Sequence, residues 1–331
     1  MKRRRHTTSA HARQRGIALI TVVFVITLAT IISMSLVTAQ SIAVSRTGNL
    51  LQGEQALWYS TGVENWAAQI LVQDRKDSEI DSLDEIWAFP VDYLPIEGGF
   101  VSGALKDQHG LFNINDLVSG DAELVAEQLV KLLGFVTDPP ATEDNENPTP
   151  IRDIDAASLV QAIADWVDED IDPRIPGGAE DDYYLGLETP YRTANQPMAS
   201  ISELRLVQGM TEELYLALAP LITALPAGTM VNVNTAPPEV LAALVPDMSL
   251  DEANALVSDR EEEPFDSVET FMQHEIMAGR EVDDTRFTVA SEFFLLNSQA
   301  TVGNTRIRQH SLLHRDPAGV INVVGHSQYE F

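Results

Sequence analysis

The 331-residue chain contains no cysteine, which excludes disulfides, thiolate metal sites and cysteine nucleophiles together. That absence leaves the compartment open, because exported proteins need not carry disulfides. Positive charge is scarce: 21 Lys and Arg stand against 50 Asp and Glu, for a formal net charge of -29. So acidic a body repels phosphate backbones, and no nucleic-acid partner is expected. It can attract divalent cations or basic protein surfaces, or serve solubility alone. The seven histidines form no ligand-spaced cluster, and His310 and His314 fall in a strand-like stretch. With no nucleophile motif either, the chain reads as a non-enzyme without catalytic residues or a small-molecule substrate. Its length suffices for one large or two modest cores.

The scarce positive charge is concentrated at the start. Lys2, Arg3, Arg4, Arg5, Arg13 and Arg15 precede residue 17 with no acid among them, and no charged residue follows until Arg46. Ile17 to Met34 is apolar apart from Thr21, Thr27, Thr30 and Ser33. A run of roughly 20 such residues spans a hydrocarbon core as a helix, here over about 17–39. The basic leader stays cytoplasmic and the bulk of the chain lies outside. An ordinary secretory signal fits badly, since the run is too long and ends in no clean small-x-small site; a plain signal anchor is the simpler alternative. Arg13-Gln14-Arg15-Gly16 directly before Ile17 resembles the prepilin signal. That resemblance implies cleavage between Gly16 and Ile17 by prepilin peptidase, N-methylation of Ile17, and retention of the apolar helix as a filament core.

One more absence matters within that resemblance. The fifth residue of the mature chain would be Thr21, where most pilins and pseudopilins carry glutamate to pair with the N-terminus of the subunit ahead. An ionised carboxylate in hydrocarbon is costly unless paired, and a subunit at the filament tip has no subunit ahead of it. Threonine can bond back to its own helix instead, so Thr21 marks a tip position, unless it is one tolerated polar residue among several. Leu50, Leu51, Leu57, Val63, Trp66, Ile70 and Leu71 then recur at helical spacing, predicting one helix over 17–74.

Residues 75–98 read as loop and turn, and Phe100 to Leu105 as a strand. Asn113-Ile114-Asn115-Asp116 leads into a helix over Ala122 to Leu133, with Asp116 a capping or turn residue. Residues 137–150 read as an exposed loop, and Ala156 to Trp166 as a helix. Ser202 and Thr211 open further short helices separated by Gly209. Val231-Asn232-Val233-Asn234-Thr235 echoes the earlier Asn-x-Asn step as a weak internal repeat. Pro238 to Leu244 and Leu250 to Arg260 resemble a helix-hairpin-helix, but Pro246-Asp247-Met248-Ser249 lacks the glycines of a phosphate-binding hairpin, leaving a packing role. Phe287 to Leu296, Gln299 to Val302 and Arg306 to Leu313 predict an antiparallel meander turning at Gly303-Asn304. The pattern is an α+β, pilin-like fold: a long N-terminal helix on a small antiparallel sheet, with a large α-helical domain inserted in the sheet. The expected partition is a leader over 1–16, the helix over 17–74, a β part over 75–115 and 284–331, and the insertion over 116–283.

The insertion contains an acidic loop, 165–188. Asp165, Asp168, Asp170, Asp172, Glu180, Asp181 and Asp182 crowd there with Arg174 the sole cation. Asp168-x-Asp170-x-Asp172 has the alternation that converges carboxylates on a hard cation, and calcium takes six to eight oxygens in irregular loops. Gly177-Gly178 folds the chain back to bring the later acids into reach. It is no EF-hand, because Pro173 stands where that loop needs glycine. A solvated acidic face is the plainer reading, but Trp166, Ile171, Tyr183, Tyr184 and Tyr191 point to an ordered loop. These seven carboxylates are the candidate calcium ligands.

Asp165-Trp166-Val167-Asp168-Glu169-Asp170, Gly177-Gly178-Ala179-Glu180-Asp181, Pro190-Tyr191, Ala194-Asn195-Gln196-Pro197 and Ser202-Glu203-Leu204-Arg205 follow in one order. With the leader and the missing glutamate, the chain resembles the general secretion pathway protein K family of the type II secretion system. The resemblance implies a single-pass inner-membrane minor pseudopilin with a periplasmic body. It further implies a tip complex with minor pseudopilins I and J, contact with other pseudopilins, and calcium in the α-domain. Two other readings share parts of this pattern, a minor pilin of a type IV pilus and a membrane-anchored metal-dependent hydrolase.

Overall fold

A computed structural model describes residues 14–139 and 149–328. Residues 1–13 of the expected leader, 140–148 of the expected loop and the last three residues lie outside the described residues. One helix, α1 (Gln14–Asp77), runs for 64 residues, through and beyond the predicted 17–74. Every large apolar side chain from Ile17 to Val44 is exposed, and the helix is long and apolar enough to cross a membrane.

The second half of α1 packs on a sheet, with a buried face that keeps Val63, Leu71 and in part Ile70 from the expected set but not the rest. Ala56, Ser60, Val63, Ala67 and Leu71 are buried, at spacings of three or four, whereas Leu50, Leu51, Leu57 and Trp66 are exposed. Close approach of a helix to a sheet selects small side chains at the contact, and the larger apolar residues point outward. A polar seam crosses the same contact. Ser60 bonds Ser298 and Gln309, and buried Glu64 accepts from Ser311 Oγ at 2.7 Å and Gln309 Nε2 at 3.1 Å. Buried polar groups of this kind are tolerated because they are satisfied.

The sheet holds β1 (Val91–Ile96), β2 (Gly99–Asp107), β7 (Phe293–Val302), β8 (Thr305–Arg315) and β9 (Ile321–Ser327) in the order β1-β2-β7-β8-β9, all antiparallel. Burial along β7 alternates strictly, the period of two that puts one face on α1. Trp87, Phe294, Leu296 and Leu313 form the core beneath it, with Trp87 edge-on to Phe294 at 5.2 Å. At the β7–β8 hairpin Gly303 has φ +55°, and a Cβ there would meet the Gln52 side chain at 2.7 Å.

β2 and β7 are direct neighbours, pairing Gly99 with Val302 through Asp107 with Phe294. Everything between them leaves the sheet and returns to it. This stretch contains β3 (Phe112–Asn113), α2 (Ala122–Thr137), α3 (Ala156–Val167), α4 (Asp181–Tyr184), α5 (Glu212–Leu218), β4 (Ile222–Thr223), β5 (Val231–Asn232), α6 (Pro238–Leu244), α7 (Leu250–Glu262), α8 (Val268–Met272) and β6 (Phe287–Thr288). Its apolar side chains form a separate core centred on residues such as Leu129, Ile163, Leu214 and Leu241. The α+β class, the long helix and the helical insertion stand as expected.

Several local expectations need correction. Val91–Ile96 is a strand, not loop; Phe287 to Leu296 is broken, β6 pairing in parallel with β5 while β7 starts at Phe293. Ser200, not Ser202, caps the next helical turn, in a capping box with Glu203. Asp116 caps no helix; its Oδ1 accepts from Asn113 Nδ2 and the distant Gly228 N–H. The Asn-x-Asn echo is structural. Asn113 Oδ1 accepts the Asn115 N–H, and Asn232 Oδ1 the Asn234 N–H. The second asparagine of each pair then clamps remote backbone: Asn115 holds Met198 N–H and C=O and the Leu225 C=O, and Asn234 holds Phe265 N–H and C=O.

Candidate metal centre in the inserted helical domain

α3 delivers the first acids. Asp155 caps it, accepting from the Ser158 N–H, and Leu159, Ile163 and Trp166 bury its apolar face. Asp165 is fully buried at the C-terminal end, Asp168 follows as the cap residue, and Asp170 and Asp172 lie in the loop beyond. The chain returns at Gly177-Gly178, where the Gly178 N–H bonds the Arg174 carbonyl at 2.7 Å. A Cβ on Gly178 would sit 2.1 Å from Asp165 Oδ2, so only glycine fits this return. Glu180 then enters the site, 4% exposed, just before α4. Tyr184 and Tyr191 pack edge-on to Trp166 beneath the loop.

The structure divides the seven expected carboxylates. Asp168, Asp170 and Glu180 converge, each offering an oxygen within 4.8 Å of the other two. Asp165 instead receives Arg174, through its backbone N–H at 3.1 Å and its Nη1 at 2.6 Å. Arg174 also pairs with Asp168, whose other oxygen stays open. Asp181 is taken by Arg192 and the Thr193 N–H, and this pairing holds its carboxyl below the usual range. Asp172 donates its N–H to Asp170 Oδ1 and is exposed, as is Asp182.

One participant carries no charge. Asn195, at φ +46°, donates Nδ2 to the Asp170 carbonyl at 2.7 Å. Among the described residues, Asp168 Oδ1, Glu180 Oε1 and Asn195 Oδ1 are buried without a hydrogen-bond partner. Buried oxygens without donors cost free energy; two of the three belong to the converging carboxylates, and the third is on Asn195, which is bonded to the Asp170 backbone. Burial pushes the Asp168 and Glu180 carboxyls up, against the pull of Arg174 on the first and Thr193 on the second. The donor set fits a hard divalent cation, with no nitrogen or sulfur ligand. Its only sequence signal was the Ala194-Asn195-Gln196-Pro197 block, which charge counting passes over.

A membrane-length helix laid on an antiparallel sheet that opens to admit a helical domain defines a pilin-class subunit with an inserted body. A family model described as "Type II secretion system (T2SS), protein K" matches residues 110–227, and another of the same description matches 231–290. Each matched stretch opens within a few residues of an Asn-x-Asn clamp. The type II secretion system protein K of Pectobacterium carotovorum subsp. carotovorum is 33% identical over 322 residues, covering 92% of this chain and 93% of its own. That of Aeromonas hydrophila is 33% identical over 318 residues, with the same two coverages. The crystal structure of the GspK-GspI-GspJ complex from the enterotoxigenic Escherichia coli type 2 secretion system superimposes with a TM-score of 0.74 at 29% identity. It covers 86% of this chain and 100% of that chain. The chain belongs to the type II secretion system protein K family, a family of minor pseudopilins.

Proposed function

We propose that this chain is the tip subunit of the pseudopilus, starting and capping the filament that drives folded proteins from the periplasm across the outer membrane. The observation carrying this reading is Thr21, whose hydroxyl donates to the Ile17 and Ala18 carbonyls of its own helix, at 3.2 and 2.9 Å. The side chain is satisfied within its own helix, so it asks nothing of a subunit ahead. A body as broad as the inserted domain then stands where a further subunit would have to enter. Minor pseudopilins I and J are the partners of this tip, a reading supported by the GspK-GspI-GspJ assembly to which the chain is similar.

In this reading prepilin peptidase cuts between Gly16 and Ile17, Ile17 is N-methylated, and α1 holds the chain in the inner membrane with the body periplasmic. The role is non-enzymatic. Calcium is the resident ion of the acidic loop, held by Asp168, Asp170 and Glu180 with the Asn195 side-chain oxygen. When bound it supplies positive charge and cross-links the loop. Asp165 and Arg174 position the return of the chain, and Asp181 fastens α4 to Arg192. The test is intact mass spectrometry of the membrane-extracted protein from cells with and without prepilin peptidase, followed by capture of I and J. A mature chain beginning at Ile17, one methyl heavier, that copurifies with both is expected. A chain retaining its first 16 residues in both strains would refute the processing, and capture of neither partner would refute the tip complex.

A further inference from the structure

A second group of acids lies far from the loop, where the membrane helix joins the body. Asp74 is in the last turn of α1, Asp81 in the segment that follows, and Glu85 immediately before the short turn Ile86–Ala88. Each offers an oxygen within 4.8 Å of the other two. Asp81 is 1% exposed, and its Oδ1 has no hydrogen-bond partner among the described residues. Its Oδ2 is held by the Ser291 N–H at 2.7 Å and by Arg315. Asp74 Oδ2 accepts from Arg315 Nη1, and Glu85 Oε2 from the Ser82 N–H and Trp87 Nε1. One oxygen of each acid is therefore committed to protein. Among the described residues, the other oxygen of each accepts no hydrogen bond.

The charge is unbalanced. Three carboxylates face one guanidinium, that of buried Arg315. The nearby buried Asp107 adds no cation and is itself occupied by Thr235, Ser291 and the His109 N–H. Burying charge without compensation is strongly unfavourable. A cleft of about 320 Å³, lined by Asp74, Asp77, Asp84 and Glu85 beside Ile70 and Ile86, opens onto two of the three acids.

We propose that Asp74, Asp81 and Glu85 form a second calcium site, which staples the last turn of α1 to the sheet. The ligands are oxygens only, three in number, one on the last turn of α1 and two on the irregular segment after it, with room for water. Calcium tolerates such an arrangement, whereas magnesium demands a near-ideal octahedron.

The experiment counts calcium ions on the full-length chain in detergent by native mass spectrometry, with terbium luminescence as a second readout. Trp87, bonded to a ligand, sensitises terbium at this site. Asp81→Asn risks misfolding through the Arg315 pair, so half-buried Glu85→Gln is the primary variant. Asp168→Asn/Glu180→Gln removes the loop site independently. Two ions are expected on the wild type and one on each variant. In the loop variant the residual terbium emission is lost when Glu85→Gln is added, with at least a tenfold fall in affinity. A loop variant that binds no ion, or a residual ion indifferent to Glu85→Gln, overturns the proposal. A single wild-type ion that vanishes with Glu85→Gln and survives the loop changes supports it, and sinks the loop reading instead.

Discussion

Glu180→Gln should reverse its effect on stability with calcium. In metal-stripped protein Glu180 is a buried carboxyl beside Asp168 and Asp170, with Oε1 unpartnered. Glutamine keeps the shape and removes the charge, so the variant should be at least as stable as wild type. With calcium at about 100 times the dissociation constant, binding contributes about 2.7 kcal/mol. Losing one carboxylate ligand and about 30-fold in affinity leaves about 0.9 kcal/mol at the same concentration. The variant should therefore forfeit about 2 kcal/mol of calcium-dependent stabilisation, about 4–8 °C in Tm for a body of this size. The pH dependence has a fixed sign. Burial raises Asp168 and Glu180 in the folded state, so without metal their contribution is fully present below about pH 4. It is lost as pH rises through the folded values. The stripped wild type should thus lose stability relative to Glu180→Gln from pH 4 upward, and calcium should restore it. Thermal unfolding in detergent, with calcium or chelator, measures both effects. Equal Tm in the two buffers for wild type, or an undiminished calcium shift in Glu180→Gln, would refute the reasoning.

Asn115→Ala strands Met198 N–H and C=O and the Leu225 C=O, and at about 1 kcal/mol or more each should cost about 3–4 kcal/mol. Asn234→Ala loses the two Phe265 bonds and should cost about 2–3 kcal/mol; urea midpoints at unchanged slope check both. Gly178→Ala drives a Cβ to within 2.5 Å of the Arg174 nitrogen and closer still to Asp165. It should abolish the calcium-dependent Tm shift and leave the far-ultraviolet signal of the sheet unchanged. Thr21→Glu places a carboxylate in the apolar run at a cost on the order of 1–3 kcal/mol. Secretion of a reporter substrate should fall in Thr21→Glu cells and persist with Thr21→Val, and equal secretion in both would count against the tip reading.

The long helix was legible because its two signals, an abrupt charge boundary and an uninterrupted apolar run, are local in sequence. Its contact face was legible only at Val63, Ile70 and Leu71. Hydropathy favours Leu57 and Trp66, but the depth of approach to the sheet favours Ala56, Ser60 and Ala67, and that depth is a tertiary property. β1 was hidden by Asp92 and Pro95, which are tolerable only because this strand is an edge. In the acidic loop the place where carboxylates converge was readable from charge density. The ligand set depends on which acids two arginines claim: Arg174 takes Asp165 and Arg192 takes Asp181. Asn195, 15 residues beyond Glu180, reaches the Asp170 carbonyl as a neutral amide, and no charge pattern announces it. The Asp74–Asp81–Glu85 group was missed for the opposite reason, lying in a segment already rich in acids and read as turn.

The direct pairing of β2 with β7 has a consequence during synthesis. β2 ends at Asp107 and its partner begins at Phe293, so about 185 residues must be made before the two can meet. At about 5–20 residues per second, the ribosome takes roughly 10–40 s over that interval. Throughout it α1 is already complete, and β1–β2 stands as a two-stranded ribbon with one edge unpaired. The helical body can form its own core in the meantime, since its contacts are mostly internal. The pilin half of the molecule is therefore begun first and finished last, and that open edge must be kept from other strands until β7 arrives.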